Sequence, residues 1–261
     1  IVNARTNELA TANQQLQRSN DELAQFAYIA SHDLQEPLRK VVTYAQMLEM
    51  SLEDMSERSE KYLGKIQNST SRMSVLVRDV LAYSQLSKAH TAFAPVDLKM
   101  VVDDISTDFE LLIEQKRAQI RCKHLPVIEA IPLQMTQLFG NLISNALKFS
   151  VGDKEVIIDI EARDLNKQEV KQVYGLNEDL FYYSITVGDN GIGFDQEHAE
   201  QIFNIFQRLH GKTEYSGTGI GLAMCKKIAL NHGGEIFAKS SPGCGTVFTI
   251  LLPKDRSGSS E

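Results

Sequence analysis

Tryptophan is absent, and only three cysteines, Cys122, Cys225 and Cys244, are spread over 261 residues with no CxxC spacing. That pattern excludes a disulfide framework or a zinc site of the usual spacing and suits a reducing compartment. No run of Lys and Arg stands out and the formal net charge is -7, which speaks against broad affinity for nucleic acid or for an anionic membrane surface. No apolar stretch approaches the length of a membrane span, and the first residues read as mid-helix rather than as a signal peptide. The chain is therefore expected to be a piece of a longer protein, with its upstream part missing. What is present is ordinary: 43% hydrophobic and 23% charged residues, enough for one or two domains with real cores.

The N-terminal third carries a helical repeat. Val2, Leu9, Leu16, Leu23 and Ala30 recur every seven residues, with Thr6, Asn13, Asn20 and Ala27 in the companion core position. Asn at core positions lowers stability but favours a parallel dimer in fixed register. If the Leu series is d, His32 falls at f, pointing away from the partner helix. Asp33 flanks it, Glu36 lies one turn on, and Pro37 is expected to bend the helix. One long helix is expected to run to about Met50, followed by a turn over Ser51–Glu57. A second helix then carries Tyr62, Ile66, Ser69, Met73, Leu76, Val80 and Tyr83 at three- and four-residue spacing. A hairpin this long cannot cover both its apolar faces. Two copies pairing as a four-helix bundle would do so, which predicts a homodimer.

From Ser87 to Asp97 the helical period stops and Pro95 marks a linker. Beyond it, Leu98 to Lys116 reads as helix, Ile120, Cys122 and His124 alternate as a strand, and Pro132 opens a helix to about Phe149. Strands are expected at Val156–Ala162 and Tyr182–Gly188, a helix at Gly219–Asn231, and last strands at Glu235–Lys239 and Thr246–Leu252. Residues 163–180 read as a surface excursion without a role. The expected domains are a coiled-coil linker over 1–22, a helical hairpin over 23–88, an α/β sandwich of mixed sheet over 97–253 and a disordered tail over 254–261.

The chemistry gathers in the second half. On the helix to Phe149, Asn141, Asn145 and Lys148 form one narrow row beside an apolar face. Two amides and an ammonium are what a triphosphate with Mg²⁺ needs, although a solvated face would read the same way. Asp189 closes a strand in DNGIGF, where its carboxylate can accept a hydrogen bond from an exocyclic amine while Gly191 and Gly193 let backbone approach a planar ring. Next, Phe203 and Phe206 are expected to pack a mobile segment down, with Arg208 in reach of a terminal phosphate. Gly217, Thr218, Gly219 and Gly221 then open a helix whose backbone N–H groups favour phosphate. The ordered set, closed by SSPGCGTVF, carries far more than any one motif.

This set resembles the transmitter region of a two-component sensor histidine kinase over roughly Leu23 to Pro253. SHDLQEPL resembles the phosphoacceptor box, in a version found in phytochrome-like and PAS-linked kinases; NLISNALKFS resembles the N box, DNGIGF and GTGIGLA the glycine boxes, and IFNIF the F box. The resemblance implies a cytoplasmic ATP-dependent autokinase. His32 would be phosphorylated and Asp33 would orient or deprotonate its imidazole. Asn145 would hold Mg²⁺, Asn141 and Lys148 would meet the phosphates, and Phe149 would lie beside the adenine. Asp189 would read the adenine amine, Arg208 would stabilise the transferred phosphoryl, and Gly217 to Gly221 would close a lid. The phosphoryl group would pass to an aspartate of a response regulator, under a sensor domain that lies outside this chain. Glu36 departs from the Thr or Asn that many relatives carry there, which leaves phosphatase action unassigned. Two other readings share part of the set. An ATP-gated dimeric ATPase of the same superfamily has no phosphoacceptor helix, and a non-catalytic signalling scaffold would have lost Asn145, Asp189 or the glycines.

Overall fold

A computed structural model describes residues 30, 33–51, 56–86, 92–152, 154–173, 176–209 and 217–254. The expected coiled coil over 1–22, His32 and the tail from 255 lie outside these residues. The chain divides into two compact units, residues 1–89 and 90–261.

In the first unit, helix α1 (residues 33–51) runs through Pro37 without a break. Helix α2 (Glu57–Gln85) starts at Ser56, whose hydroxyl accepts the Ser59 N–H at 3.2 Å. Leu38 and Ala45 of α1 and Leu63, Thr70 and Val77 of α2 are buried at seven-residue spacing, the seam of an antiparallel hairpin. Gln67 ties the helices by donating to Glu49 at 2.8 Å. The stripe that the periodicity singles out on α2 is a different one: Tyr62, Ile66, Met73 and Leu76 are exposed in the single chain, as are Tyr44, Met47 and Leu48 of α1. The hairpin thus closes on one seam and leaves a second apolar face uncovered.

The second unit is an α/β sandwich. Strand β1 (Ala94–Asp97) leads into α3 (Leu98–Asp108), whose N-cap Asp97 accepts the N–H groups of Lys99 and Met100. Then come α4 (Glu110–Lys116), β2 (Gln119–Lys123), β3 (Val127–Ala130), α5 (Pro132–Lys148), β4 (Ile157–Leu165), α6 (Lys167–Lys171), β5 (Tyr182–Asp189), α7 (Gly221–Asn231), β6 (Glu235–Ser241) and β7 (Gly245–Pro253). The main sheet runs β2-β4-β5-β7-β6, with β2 parallel to β4 and the remaining neighbours antiparallel. This is the mixed sheet expected from the sequence. Helices α3, α5 and α7 cover one face, where Leu138, Phe139, Leu142 and Ile143 of α5 meet Ile158, Ile160, Ile185 and Ile250.

Several local expectations are corrected. The stretch read as a linker contains β1, which pairs with β3 in a two-stranded sheet where Pro95 is tolerated as an edge residue. The expected single helix 98–116 breaks at Phe109, with no Gly or Pro to announce it. His124 leaves its strand because its φ is +53°, a turn conformation.

The 163–180 stretch is a structured cover. Buried residues alternate along β4 as Ile158, Ile160 and Ala162, and the three-residue step to Leu165 moves to the opposite face of the sheet. There Leu165, Val170, Tyr182 and Leu251 form a second small core, against which Val173, Leu176 and Leu180 pack. Helix α6 is locked by a capping box of Asn166 and Glu169. The Tyr182 hydroxyl accepts the Asn177 N–H at 3.1 Å and donates to Gly233 O at 3.3 Å. If this cover is part of the cooperative fold, Leu165→Ala costs about 2–3 kcal/mol and Tyr182→Phe about 1 kcal/mol. Urea unfolding measures both, and an unchanged midpoint for Leu165→Ala would show the cover to be decoration.

Candidate nucleotide site

Polar residues of the site come from the ends of β5, α5 and α7. Asp189 closes β5, and its Oδ1 accepts the N–H groups of Gly191 at 2.8 Å and Thr246 at 3.3 Å. Burial pushes its carboxyl pKa up, against the opposing pull of those two bonds. Among the described residues no hydrogen bond reaches Oδ2, so this half-buried carboxylate keeps one acceptor oxygen for a ligand. The following Asn190 anchors the loop to the start of β4, accepting from Ile157 N and donating to Glu155 O, each at 2.9 Å. Phe149, the C-cap of α5, accepts the Ile192 N–H through its carbonyl at 2.9 Å, and a Cβ on Gly191 would stand 2.5 Å from that carbonyl. Gly193 has φ +61°, and a Cβ there would overlap the Ser241 carbonyl.

The row on α5 faces the start of α7. A Cβ on Gly221 would lie 3.1 Å from Asn141 Oδ1, and Asn141 Nδ2 points at Met224 Sδ at 3.7 Å. The first turn of α7 has no side-chain cap, so its N–H groups remain for an anion. Lys148 lies over the Phe149 ring at 4.3 Å, and its Nζ is 2.7 Å from where a Gly217 Cβ would be. Arg208 donates through Nη1 to Gly217 O at 3.0 Å. Burial, then the Arg208 charge, lowers the Lys148 pKa. Two cations drawn together against their mutual repulsion make a site for negative charge. Asn145, half-buried in the same row, has no side-chain hydrogen bond among the described residues.

Phe203 and Phe206 part company. Phe203 is buried, edge-on to Phe248 with ring centroids 6.4 Å apart, as expected. Phe206 is 56% exposed, with φ +66°, because its N–H is drawn to Gly219 O at 3.0 Å. The expectation that it packs down is therefore corrected. Gly219 and Thr218 lie at the described edge of the loop, and residues 210–216 lie outside the description. Asp33 is exposed at the start of α1, and Glu36 pairs with Lys40 at 2.8 Å. Sequence reasoning missed Asn190, Ser240 and Thr246, whose only signal was their place inside the glycine motifs.

Gly193→Ala is expected to destabilise by about 2–3 kcal/mol, combining backbone strain with overlap. Gly233→Ala, at φ +72° but in open space, carries the strain alone, about 1 kcal/mol. Chemical denaturation ranks the two, and the reverse order would contradict the close approach at Gly193.

The arrangement holds an unengaged acceptor oxygen at one end and a double cation with a bare helix N-terminus at the other, which suits a polyanion joined to an amine-bearing ring. Family models agree with this division. Residues 22–89 match the His kinase A (phospho-acceptor) domain, and residues 130–256 match the histidine kinase-, DNA gyrase B- and HSP90-like ATPase. The phytochrome-like protein Cph1 of Synechocystis sp. is 39% identical over 97% of this chain and 32% of its own length. The sensor histidine kinase WalK of Bacillus subtilis is 32% identical over 91% of the chain and 38% of its own length. The chain thus spans about a third of the length of these relatives. Among solved structures, full-length ShkA in complex with AMPPNP shares the fold with a TM-score of 0.65 at 23% identity, over 88% of this chain and 45% of that one. The histidine kinase ThkA, solved in complex with the response regulator TrrA, does so with a TM-score of 0.56 at 21% identity, over 93% of this chain and 66% of that one. With a phosphoacceptor helical unit joined to an ATPase unit, the chain belongs to the histidine kinase family, as its HisKA and ATPase transmitter region.

Proposed function

We propose that this region transfers the γ-phosphoryl group of ATP to His32 and then to an aspartate of a response regulator. The observation that carries the reading is the convergence of Lys148 and Arg208 on Gly217, with Asn141 beside the uncapped start of α7 and Asp189 held apart as a half-buried acceptor. In this reading Asp189 Oδ2 accepts the adenine amine, and Gly191 and Gly193 bring backbone to the ring with Phe149 beside it. Asn141 and Lys148 meet the phosphates, Gly217, Thr218, Gly219 and Gly221 close over them, and Phe206 flanks the base from the exposed side. Arg208 exchanges its bond to Gly217 O for charge on the transferred group, and Asp33 orients the His32 imidazole. Phosphoryl transfer needs positioning and charge stabilisation more than covalent help, which is what these residues supply.

Asn145 fits Mg²⁺, because its half-buried amide is unengaged among the described residues and a neutral oxygen leaves the metal its waters and phosphate oxygens. When bound, Mg²⁺ neutralises phosphate charge. No described cluster of three His, Cys, Asp or Glu offers an all-protein cage, which accords with a metal delivered with its nucleotide.

The uncovered face of Tyr62, Ile66, Met73 and Leu76 supports a homodimer, two hairpins forming a four-helix bundle with the residues before 23 as a coiled-coil lead. No described helix is long and apolar enough to cross a membrane, and the use of ATP places the proposed reaction in the cytoplasm. The input domain lies outside the chain.

Incubation with γ-labelled ATP and Mg²⁺ tests the reading. Label stable to alkali and lost in acid is expected, and His32→Gln abolishes it while leaving nucleotide affinity within about twofold, since the histidine is no part of the binding site. Full labelling of the variant would defeat the assignment. Asp189→Asn has two expected effects. Its amide oxygen keeps the two loop N–H bonds and turns its NH₂ toward the adenine amine, donor against donor, so ATP affinity falls about ten- to a hundredfold. The raised folded pKa means that the folded state bears a desolvation cost above that pKa, relieved as pH falls toward the unfolded value of 3.8. The variant therefore melts higher than wild type at pH 7, and the gain vanishes near pH 4.

A further inference from the structure

The Asp189 loop is held from the side of β6 by a buried hydroxyl. Ser240, buried on β6, uses its hydroxyl completely. It donates to Gly245 O at 2.9 Å and accepts the Phe194 N–H at 2.9 Å. Its one hydrogen being spent, the 2.9 Å contact with Thr246 Oγ1 has Thr246 as the donor. One oxygen thereby joins both ends of the structure around Asp189: the loop that runs through Gly191 to Phe194, and the Gly245-Thr246 pair, whose Thr246 N–H meets Asp189 Oδ1.

Gln196 extends the hold along the edge strand. Its Nε2 donates to Ala238 O at 3.1 Å and its Oε1 accepts the Ser240 N–H at 2.9 Å, so the side chain pairs with the outer edge of β6 as a neighbouring strand would. This fixes the turn after Phe194 and the backbone of Ser240 together. Gln196 itself is exposed, and among the described residues another side-chain bond along β6 is Glu235 accepting the Ile236 N–H at 3.0 Å.

We propose that Ser240 and Gln196 are positioning residues for base selection: they fix the orientation of the Asp189 carboxylate, and with it the preference for a 6-amino over a 6-oxo purine nucleotide. The inference rests on the reading of Asp189 as acceptor of the adenine amine. An aligned carboxylate attracts an amine and repels a carbonyl, whereas a carboxylate free to swing forfeits both effects. Loss of either clamp residue therefore erodes discrimination rather than binding to the triphosphate in general.

The test is direct titration of the full chain with ATP and with ITP, whose 6-oxo group replaces the amine. Wild type is expected to prefer ATP by about tenfold or more. Ser240→Ala reduces the ratio to within about threefold, mostly by weakening ATP. Ser240→Thr, which keeps the hydroxyl, restores it. Gln196→Ala reduces the ratio about threefold while melting within a few degrees of wild type, because the freed edge groups reach water. This second variant keeps the test alive if Ser240→Ala does not fold. Wild-type ratios in folded Ser240→Ala or in Gln196→Ala would overturn the clamp and leave the Asp189 reading standing. A wild type that does not prefer ATP would overturn both.

Discussion

Two backbone N–H groups, from Gly191 and Thr246, converge on one oxygen of Asp189, and the ATPase unit is arranged so that this is possible. A carboxylate at the end of β5 is costly to bury, as its raised pKa reflects, and it is tolerable only with donors fixed in place. Fixing them requires that the loop after β5 pass against the C-terminus of α5 and the turn between β6 and β7. Both approaches exclude side chains: Gly191 faces the Phe149 carbonyl, Gly193 the Ser241 carbonyl and Gly245 the Asp189 carbonyl. The glycines of the motif are therefore packing residues as much as conformational ones.

The same logic in opposite sign governs the far end of the site. Lys148 and Arg208 are both drawn to Gly217 although each raises the cost of the other, and the first turn of α7 offers its N–H groups with no cap of its own. The two helices that carry Lys148 and those N–H groups are packed independently of them: Cys225 lies buried against α5, its thiol pushed up to about 12 by burial, and at the opposite ends of both helices His232 accepts the Ile131 N–H at 3.1 Å.

The helical unit shows a different economy. Leu63, Thr70 and Val77 close the hairpin, and the neighbouring stripe of Tyr62, Ile66, Met73 and Leu76 stays exposed. A helix with two adjacent apolar stripes can satisfy one within its own chain and must reserve the other. Burying three or four such side chains is worth about 1.5–3 kcal/mol each, which is the gain that the proposed second copy would bring.

Much was legible in the residues themselves. Heptad spacing, the alternation along β4 and β5, and Pro132 at a helix start are local signals, since side-chain periodicity follows directly from backbone geometry. The motifs around Asn141, Asp189 and Gly217 were likewise readable, because close backbone approach such as that at Gly191 and Gly193 admits only glycine. Other features depended on contacts distant in the chain. Pro95 looks like a linker until Val96 finds Ile128 across a strand pair. Leu165 looks like the end of a surface strand until it turns to the far face and meets Tyr182 and Leu251. Phe206 matches its motif yet stands exposed, its φ set by a hydrogen bond to Gly219 rather than by its own preference. The sequence by itself determined the family, most of the elements and the residue types gathered at the candidate site. Tertiary structure alone decided which apolar stripe closes the hairpin, what covers the second face of the sheet, and that Ser240 and Gln196 hold the loop, because each depends on residues distant in the chain that meet only once their unit has folded.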